Sequence, residues 1–222
     1  MNEVPGKDMP DGREAFASFL LRLRGKGIVA KDLISAFEAT PRHAFVPDRW
    51  QNVAWAEGMI PIECGEAIEG PDLQASILAS LAIEPGHRVL EVGTGSGFSA
   101  AVMARLAARV VTVERYKTLT EQARRRFEAL GLTNAFVRQA DGSQGLAAEA
   151  PFDRIVVWAA FDSMPRNFAE QLASNGVMIS PIGPEDGVQT LTKLTKIGSR
   201  FEREDIGTVR LQPIARSVAA VI

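Results

Sequence analysis

The sequence predicts an α/β protein whose sheet is mostly parallel, covered on both faces by helices and closed by a C-terminal antiparallel hairpin. Short apolar runs alternate with helical patterns between residues 72 and 181, and such runs are typical of strands buried on both faces of a parallel sheet. Two late strand-like runs, 188–197 and 201–213, have no helix between them, which favours a hairpin. The first 71 residues lack the alternation, so we expect a helical, loop-rich N-terminal appendage there.

The predicted elements follow in a regular order. Apolar residues at helical spacing predict helices over 13–24 and 31–39. Residues 41–71, with four prolines and three glycines, predict a long loop that packs on the domain or contributes to a site. The pattern then predicts helices at 72–82, 98–107, 117–130 and 165–173, and strands at 88–92, 110–113, 135–139, 155–158 and 177–181. We divide the chain into an appendage over 1–71 and an α/β domain over 72–222, together one compact unit.

Composition excludes several classes of protein. The chain has 222 residues, of which 46% are hydrophobic and 23% charged, as is ordinary for a globular domain. A net charge of −2 argues against nucleic-acid binding through a basic field. Its one cysteine cannot form an internal disulfide, its two histidines do not provide zinc spacing, and no apolar run approaches the roughly 18 residues of a membrane span. We expect a cytoplasmic protein with no metal, nucleic-acid partner or membrane partner.

A glycine-rich loop follows the first buried strand of the α/β domain and precedes a helix. Glycines at 93, 95 and 97 give the spacing G-x-G-x-G, which lets the backbone turn sharply and approach a ligand. A dinucleotide-binding turn needs its third glycine where Phe98 stands, and a phosphate-binding loop needs a lysine that is absent. The loop therefore predicts a cofactor site of another kind, formed by Gly93, Thr94, Gly95, Ser96 and Gly97. A purely structural turn is the alternative.

Acidic residues stand at the ends of three successive predicted strands: Glu91, Glu114, and Asp141 with Gly142 after it. The carboxyl ends of parallel strands form the crevice in which ligands bind. A carboxylate at Glu91 can accept from an ammonium group, and one at Glu114 can accept from both hydroxyls of a ribose. Asp141 and Gly142 lie where an adenine would fit. The three acids are better explained by one ligand in the crevice than by three unrelated surface positions.

The sequence resembles the protein-L-isoaspartate O-methyltransferase family from about residue 27 to residue 213. The segments that carry the resemblance are 40–47 (TPRHAFVP), Pro61, Ile62, Ile68, 89–98 (VLEVGTGSGF), 113–115 (VER), 122–126 (QARRR), 141–142 (DG), 150–153 (APFD), 181–183 (PIG), Gln189 and 209–214 (VRLQPI). The first of these, and the Pro-Ile-Gly segment followed by a glutamine, are specific to this family. The central motifs alone would indicate only a methyltransferase.

The resemblance implies a doubly wound, class I methyltransferase-like fold and S-adenosyl-L-methionine as the cofactor. It implies transfer of the methyl group to the free α-carboxylate of isoaspartyl residues in damaged proteins. It also places Ala67, Ile68, Arg115 and Gln189 among the residues that contact the cofactor, beside the glycine loop and the acids.

The loop before the α/β domain departs from the family pattern. Family members usually carry Thr-Ile-Ser and, one residue later, Pro; this chain has Ala67-Ile68-Glu69-Gly70-Pro71. The resemblance assigns the active-site position to the Ser, so Glu69 is the candidate catalytic residue here. Hydroxyls can donate hydrogen bonds to a substrate carboxylate, whereas an ionised Glu69 offers only acceptors. Two like charges about 4 Å apart at intermediate dielectric repel by several kcal/mol.

Three possibilities follow for Glu69. It is protonated through burial and donates a hydrogen bond as the Ser would, it points outward in a weakened repair enzyme, or it is a general base for a hydroxyl or amine acceptor. The partner is accordingly a protein or peptide, or a small-molecule acceptor. The leading expectation is an isoaspartate-type methyltransferase. The alternatives are a methyltransferase with another acceptor and a non-catalytic cofactor-binding protein.

Overall fold

The computed structural model describes residues 12–219, so the first eleven and last three residues of the two predicted units lie outside the described part. Its main sheet has seven strands in the order β5-β4-β3-β6-β7-β8-β9. They are β3 (Arg88–Val92), β4 (Arg109–Glu114), β5 (Ala135–Gln139), β6 (Phe152–Val157), β7 (Leu172–Ile182), β8 (Gln189–Ile197) and β9 (Arg200–Val209). Strands β3 to β7 pair in parallel, and β8 and β9 pair antiparallel. The predicted fold class is confirmed.

Six helices accompany the strands within the described residues. They are α1 (Gly12–Gly25), α2 (Lys31–Glu38), α3 (Pro71–Leu81), α4 (Phe98–Ala104), α5 (Lys117–Ala129) and α6 (Arg166–Glu170). The sheet order turns back between β3 and β6, and ligands bind outside the carboxyl ends of the strands at such a switch point. The glycine loop follows β3 at this point.

Buried aromatic side chains join the N-terminal appendage to the α/β domain. Phe98, the first residue of α4, packs against Phe37, Phe45 and Trp55 with ring centroids 5.4–6.0 Å apart. One cluster of buried apolar residues contains Phe19 and Leu23 of α1 together with Val89 of β3 and Val110 of β4. Since each such aromatic buries roughly 150–250 Å², the appendage and the domain share one hydrophobic core.

Residues 41–71 form short irregular elements held by contacts to the rest of the protein. They include 3₁₀ turns at Arg42–Phe45, Asp48–Val53 and Glu63–Gly65, and a small hairpin of β1 (Ile60–Pro61) and β2 (Ala67–Ile68). Ile60 pairs with Ile68 and Pro61 with Ala67. The hairpin therefore carries the chain directly into the divergent segment at Glu69.

Candidate active site

The glycine loop links β3 to α4 in a conformation that requires glycine. Gly93 and Gly97 have φ angles of +92° and +89°, values that residues with a Cβ rarely adopt. A Cβ at Gly93 would lie 3.3 Å from Cβ of Trp158, and one at Gly97 would lie 3.0 Å from Cβ of Ala123. Strain and close packing together explain the glycines at these two positions.

A cavity of about 320 Å³ opens beside this loop, at the carboxyl ends of the strands. Ten of the residues predicted for the site line it: Ala67, Ile68, Glu69, Gly93, Thr94, Gly95, Ser96, Glu114, Arg115 and Gly142. Sequence reasoning did not assign Glu66, Gln74, Tyr116, Ala159 or the C-terminal segment 212–215, which also line it. Trp158 lines it too and follows the end of β6, where strand position predicts an aromatic side chain that either shapes a pocket or packs in the core. The C-terminal segment reaches the cavity only through tertiary folding.

Glu114 is buried at the end of β4 and organises the loop. Its Oε2 accepts from the amide of Gly95 at 2.9 Å, and its Oε1 accepts from the amides of Arg115 and Tyr116 at 2.8 and 3.0 Å. Burial raises the pKa of Glu114, although these three donors oppose the shift. A carboxylate oxygen has two lone pairs, so at least one acceptor position remains for a hydroxyl in the cavity.

Glu91 lies beneath the loop and does not line the cavity, although the sequence predicts that its carboxylate accepts a hydrogen bond from an ammonium group of the ligand. The side chain is fully buried, and its oxygens accept from Ser99 Oγ at 2.5 Å, Thr112 Oγ1 at 2.6 Å and Trp158 Nε1 at 2.9 Å. Burial raises its pKa to about 7 against these donors. These partners enclose the carboxyl in the interior, and its predicted contact with an ammonium group stays a prediction.

Asp141, Gly97 and Gln189 do not line this cavity either, although Gln189 lines the second cavity described below. Asp141 accepts from the amides of Ser143 and Ser217 at 2.8 Å each, so it fastens the C-terminal segment. Gln189 is buried, and its side-chain amide bonds the backbone of Pro184 and Leu211. The buried amide of Gln189 thus has the partners that a buried polar group requires, and the predicted contacts of these residues with a cofactor stay predictions.

A second cavity of about 400 Å³ adjoins the first. The two cavities share six lining residues: Glu66, Ala67, Glu69, Trp158, Gln212 and Pro213. The second cavity adds the acids Glu185 and Asp186, one basic residue, Arg210, and the exposed Met59. A ligand in the first cavity that donates a chemical group, and a ligand in the second that accepts it, would meet at the shared residues.

Glu69 lies at this junction in a half-buried position. Burial raises the pKa of its carboxyl to about 7, and attraction to Arg42 opposes the shift. Such a group is largely neutral below pH 7 and ionised above it. It therefore has a donor hydrogen in the lower range and only acceptor oxygens in the upper range.

Arg42 holds the backbone of this segment from below. Its guanidinium is fully buried and donates to the carbonyls of Ala54 at 2.6 Å and Glu69 at 2.5 Å, and to Gln74 Oε1 at 2.5 Å. It also lies 4.5 Å from the centroid of the Phe98 ring. Burial lowers its pKa to about 9, against attraction to Glu69 and Asp72.

We expect Arg42→Lys to lower the free energy of unfolding by about 3 kcal/mol, because a lysine cannot donate to three acceptors in the geometry of the guanidinium fork. Urea unfolding monitored by circular dichroism measures the loss. Arg49→Lys is the matched control: Arg49 is exposed in the next 3₁₀ turn, and we expect a change within about 0.5 kcal/mol. Equal effects of the two substitutions would contradict this role for Arg42.

The fold and site define a class I methyltransferase. They combine a mostly parallel sheet, a G-x-G-x-G loop and, at the end of the next strand, the acid Glu114 in the position suited to ribose hydroxyls. Known proteins place the chain more narrowly. The family model for protein-L-isoaspartate(D-aspartate) O-methyltransferase matches residues 15–219, so the chain belongs to this family. It is thereby an enzyme that uses S-adenosyl-L-methionine.

Individual relatives agree with this assignment over nearly the whole chain. A protein-L-isoaspartate O-methyltransferase of Rhizobium meliloti (strain 1021) is 46% identical over 91% of this chain and 99% of its own length. The enzyme of that name from Azorhizobium caulinodans is 42% identical over 93% of this chain and 95% of its own length.

Solved structures support the fold. A protein-L-isoaspartate O-methyltransferase structure superposes with a TM-score of 0.79 at 25% identity, covering 91% of this chain and 67% of that one. A putative one from Plasmodium falciparum, in complex with S-adenosyl-L-homocysteine, has a TM-score of 0.77 at 24% identity, covering 89% of this chain and 97% of that one.

Proposed function

We propose that this enzyme methylates the free α-carboxylate of isoaspartyl residues in proteins and peptides, with the acceptor in the second cavity. Its support is the junction of two cavities at Glu66, Ala67, Glu69 and Trp158. S-adenosyl-L-methionine supplies a methyl group on a sulfonium, which is electrophilic enough for a carboxylate to attack without a base. The protein's main contributions are alignment of donor and acceptor and exclusion of water.

The lining of the first cavity suits this cofactor. Glu114 offers an acceptor for the ribose hydroxyls, and the backbone of Gly93 and Gly95 allows close approach of the methionine portion. Gly142 lines the cavity and packs too closely on β3 for a side chain, since a Cβ there would lie 2.6 Å from Cγ1 of Val92. Negative groups at Glu66 and Glu114 favour a cationic sulfonium nearby.

Glu69, in our proposal, is neutral when the acceptor carboxylate binds. Its raised pKa keeps a proton on the side chain up to about pH 7, and a protonated carboxyl can donate a hydrogen bond to the acceptor. Ala67, where the family pattern has Thr, removes the other hydroxyl donor. The loop then supplies one side-chain donor where the family pattern supplies two.

A second candidate function is methylation of an amine or hydroxyl, with ionised Glu69 as general base. The observation that favours it is the charge around the second cavity, where Glu66, Glu69, Glu185 and Asp186 accompany one basic residue, Arg210. A neutral nucleophile must lose a proton, and a base with a pKa near 7 suits that task.

Methyl transfer from radiolabelled S-adenosyl-L-methionine distinguishes the two functions. We expect label in an isoaspartyl peptide and none in the same peptide with normal aspartate. We also expect that label to be released by mild base, because a methyl ester hydrolyses and a methylated amine does not. Base-stable label, or equal labelling of both peptides, would contradict the isoaspartyl assignment.

A further inference from the structure

Trp158 occupies the wall between the two cavities. It follows directly after β6, is partly exposed, and lines both the cofactor cavity and the second cavity. Its backbone amide donates to the carbonyl of Val92 at 2.9 Å, so its main chain is fixed to the end of β3. Its side chain is therefore in a position to influence both a donor and an acceptor.

The indole is held from the interior by a buried hydrogen-bond network. Its Nε1 donates to Oε1 of Glu91 at 2.9 Å, and Ser99 donates to the same oxygen. Thr112 donates to Oε2 of Glu91, and since its single hydroxyl hydrogen is used there, Thr94 must donate to Thr112 in their 2.6 Å contact. All oxygens of Glu91 thus serve to fix neighbouring side chains.

This network connects the cofactor loop with the acceptor side of the site. Thr94 and Ser99 line the cofactor cavity. The loop backbone at Gly93 passes close to Trp158, since a Cβ at position 93 would lie 3.3 Å from Cβ of Trp158. The hydrogen bond from Nε1 to Glu91, made in a water-poor interior, restricts the ring.

We infer that Trp158 determines acceptor binding: its indole, positioned by Glu91, forms the wall against which an isoaspartyl peptide places its carboxylate for methyl transfer. The inference rests on the proposed function for the identity of the acceptor. Trp158 touches the acceptor, whereas Glu91 acts through Trp158 as a positioning residue. No other tryptophan lines either cavity among the described residues.

Trp158→Phe tests the inference because it keeps an aromatic ring and removes the N–H donor. We expect the Kd of an isoaspartyl peptide for the complex with S-adenosyl-L-homocysteine, and the KM of that peptide, to rise about tenfold, because the ring loses the hydrogen bond to Glu91 that holds it in position. The Kd of S-adenosyl-L-methionine should change less than threefold. Calorimetry measures both affinities, and thermal unfolding verifies that each variant is folded.

Glu91→Gln and the double variant test the positioning role. We expect Glu91→Gln to weaken peptide binding in the same direction, and the double variant to be no worse than the more affected single variant, because both changes break one contact. Trp50→Phe is the matched control, because the Trp50 Nε1 has no hydrogen-bond partner in the described part of the chain. We expect this substitution to leave peptide binding unchanged.

Unchanged peptide affinity in Trp158→Phe would overturn this inference and leave the proposed function intact. An equal loss of peptide and cofactor affinity would also overturn it, because that indicates a general structural role. If the wild-type protein binds the peptide and Trp158→Phe weakens that binding, but no methyl group is transferred, the proposed function fails; the role of Trp158 in peptide binding then stands and its role in methyl transfer is overturned.

Discussion

Glu114→Ala is expected to raise the Kd of S-adenosyl-L-methionine by at least about a hundredfold. The substitution removes the acceptors of the Gly95, Arg115 and Tyr116 amides and the acceptor that we assign to the ribose hydroxyls. Hydrogen bonds to a charged group contribute about 1.5–3 kcal/mol each, and about 2.8 kcal/mol corresponds to a hundredfold change in Kd. Isothermal titration calorimetry with the cofactor alone measures the effect.

Two further variants control for this loss. Glu114→Gln retains one oxygen but presents an NH₂ group to backbone donors, so we expect an intermediate loss of about tenfold. Glu128→Gln changes an exposed acid on α5 and should leave the Kd unaltered. A Kd for folded Glu114→Ala within threefold of wild type would show that the ligand does not use this acid.

The activity on an isoaspartyl peptide is expected to fall about tenfold between pH 6 and pH 8. Burial raises the pKa of Glu69 to about 7, so the neutral fraction drops from about nine-tenths to about one-tenth across this interval. The ionised form repels the acceptor carboxylate by about 4 kcal/mol at 4 Å and an effective dielectric of 20. The pH profile of kcat/KM measures the change.

Glu69→Gln identifies the group responsible for the pH dependence. An amide donates a hydrogen bond at every pH, so we expect a flat profile and, at pH 8, about ten times the wild-type activity. This variant leaves unchanged the buried Arg42 and the other charged residues that line the second cavity, Glu66, Glu185, Asp186 and Arg210. Glu63→Gln, an exposed acid in the same hairpin, should retain the wild-type profile. A wild-type profile that rises with pH would instead favour a general base.

The parallel part of the sheet was predictable from local pattern because its central strands β3, β4 and β6 are buried apolar runs. The bounds of β3 and β5, Arg88–Val92 and Ala135–Gln139, coincide with the predicted strands. The start of β7 was wrong by five residues, since Leu172 rather than Val177 begins the strand. The register with β6 shifts between Phe152 and Arg154, and such an irregularity interrupts the strand pattern.

The second cavity and the inner network depend on long-range contacts that a sequence pattern does not contain. Residues 41–71 have no periodicity because buried groups such as Arg42, bonded to Ala54, Glu69 and Gln74, determine their path. The acid at Glu91 was predicted at the correct strand end, but its orientation beneath the loop follows from Ser99, Thr112 and Trp158. Strand position indicates a candidate residue, while its partners determine its role.

None of the helices between residues 12 and 219 is long and apolar enough to cross a membrane. A cytoplasmic location and the absence of a nucleic-acid partner stay predictions from composition. The assigned function depends on the identity of the methyl acceptor, because Ala67 and Glu69 stand where the family pattern has the hydroxyl side chains of Thr and Ser.

Methyl transfer to an isoaspartyl peptide at pH 6.5, by the wild-type protein and by the Ala67→Thr, Glu69→Ser double variant, tests the central claim most directly. We predict that both form a base-labile methyl ester and that the wild-type protein loses activity relative to the double variant as the pH rises to 8. Ester formation by the double variant alone at pH 6.5 would contradict the claim, because it would show an intact scaffold whose natural acceptor is not isoaspartate.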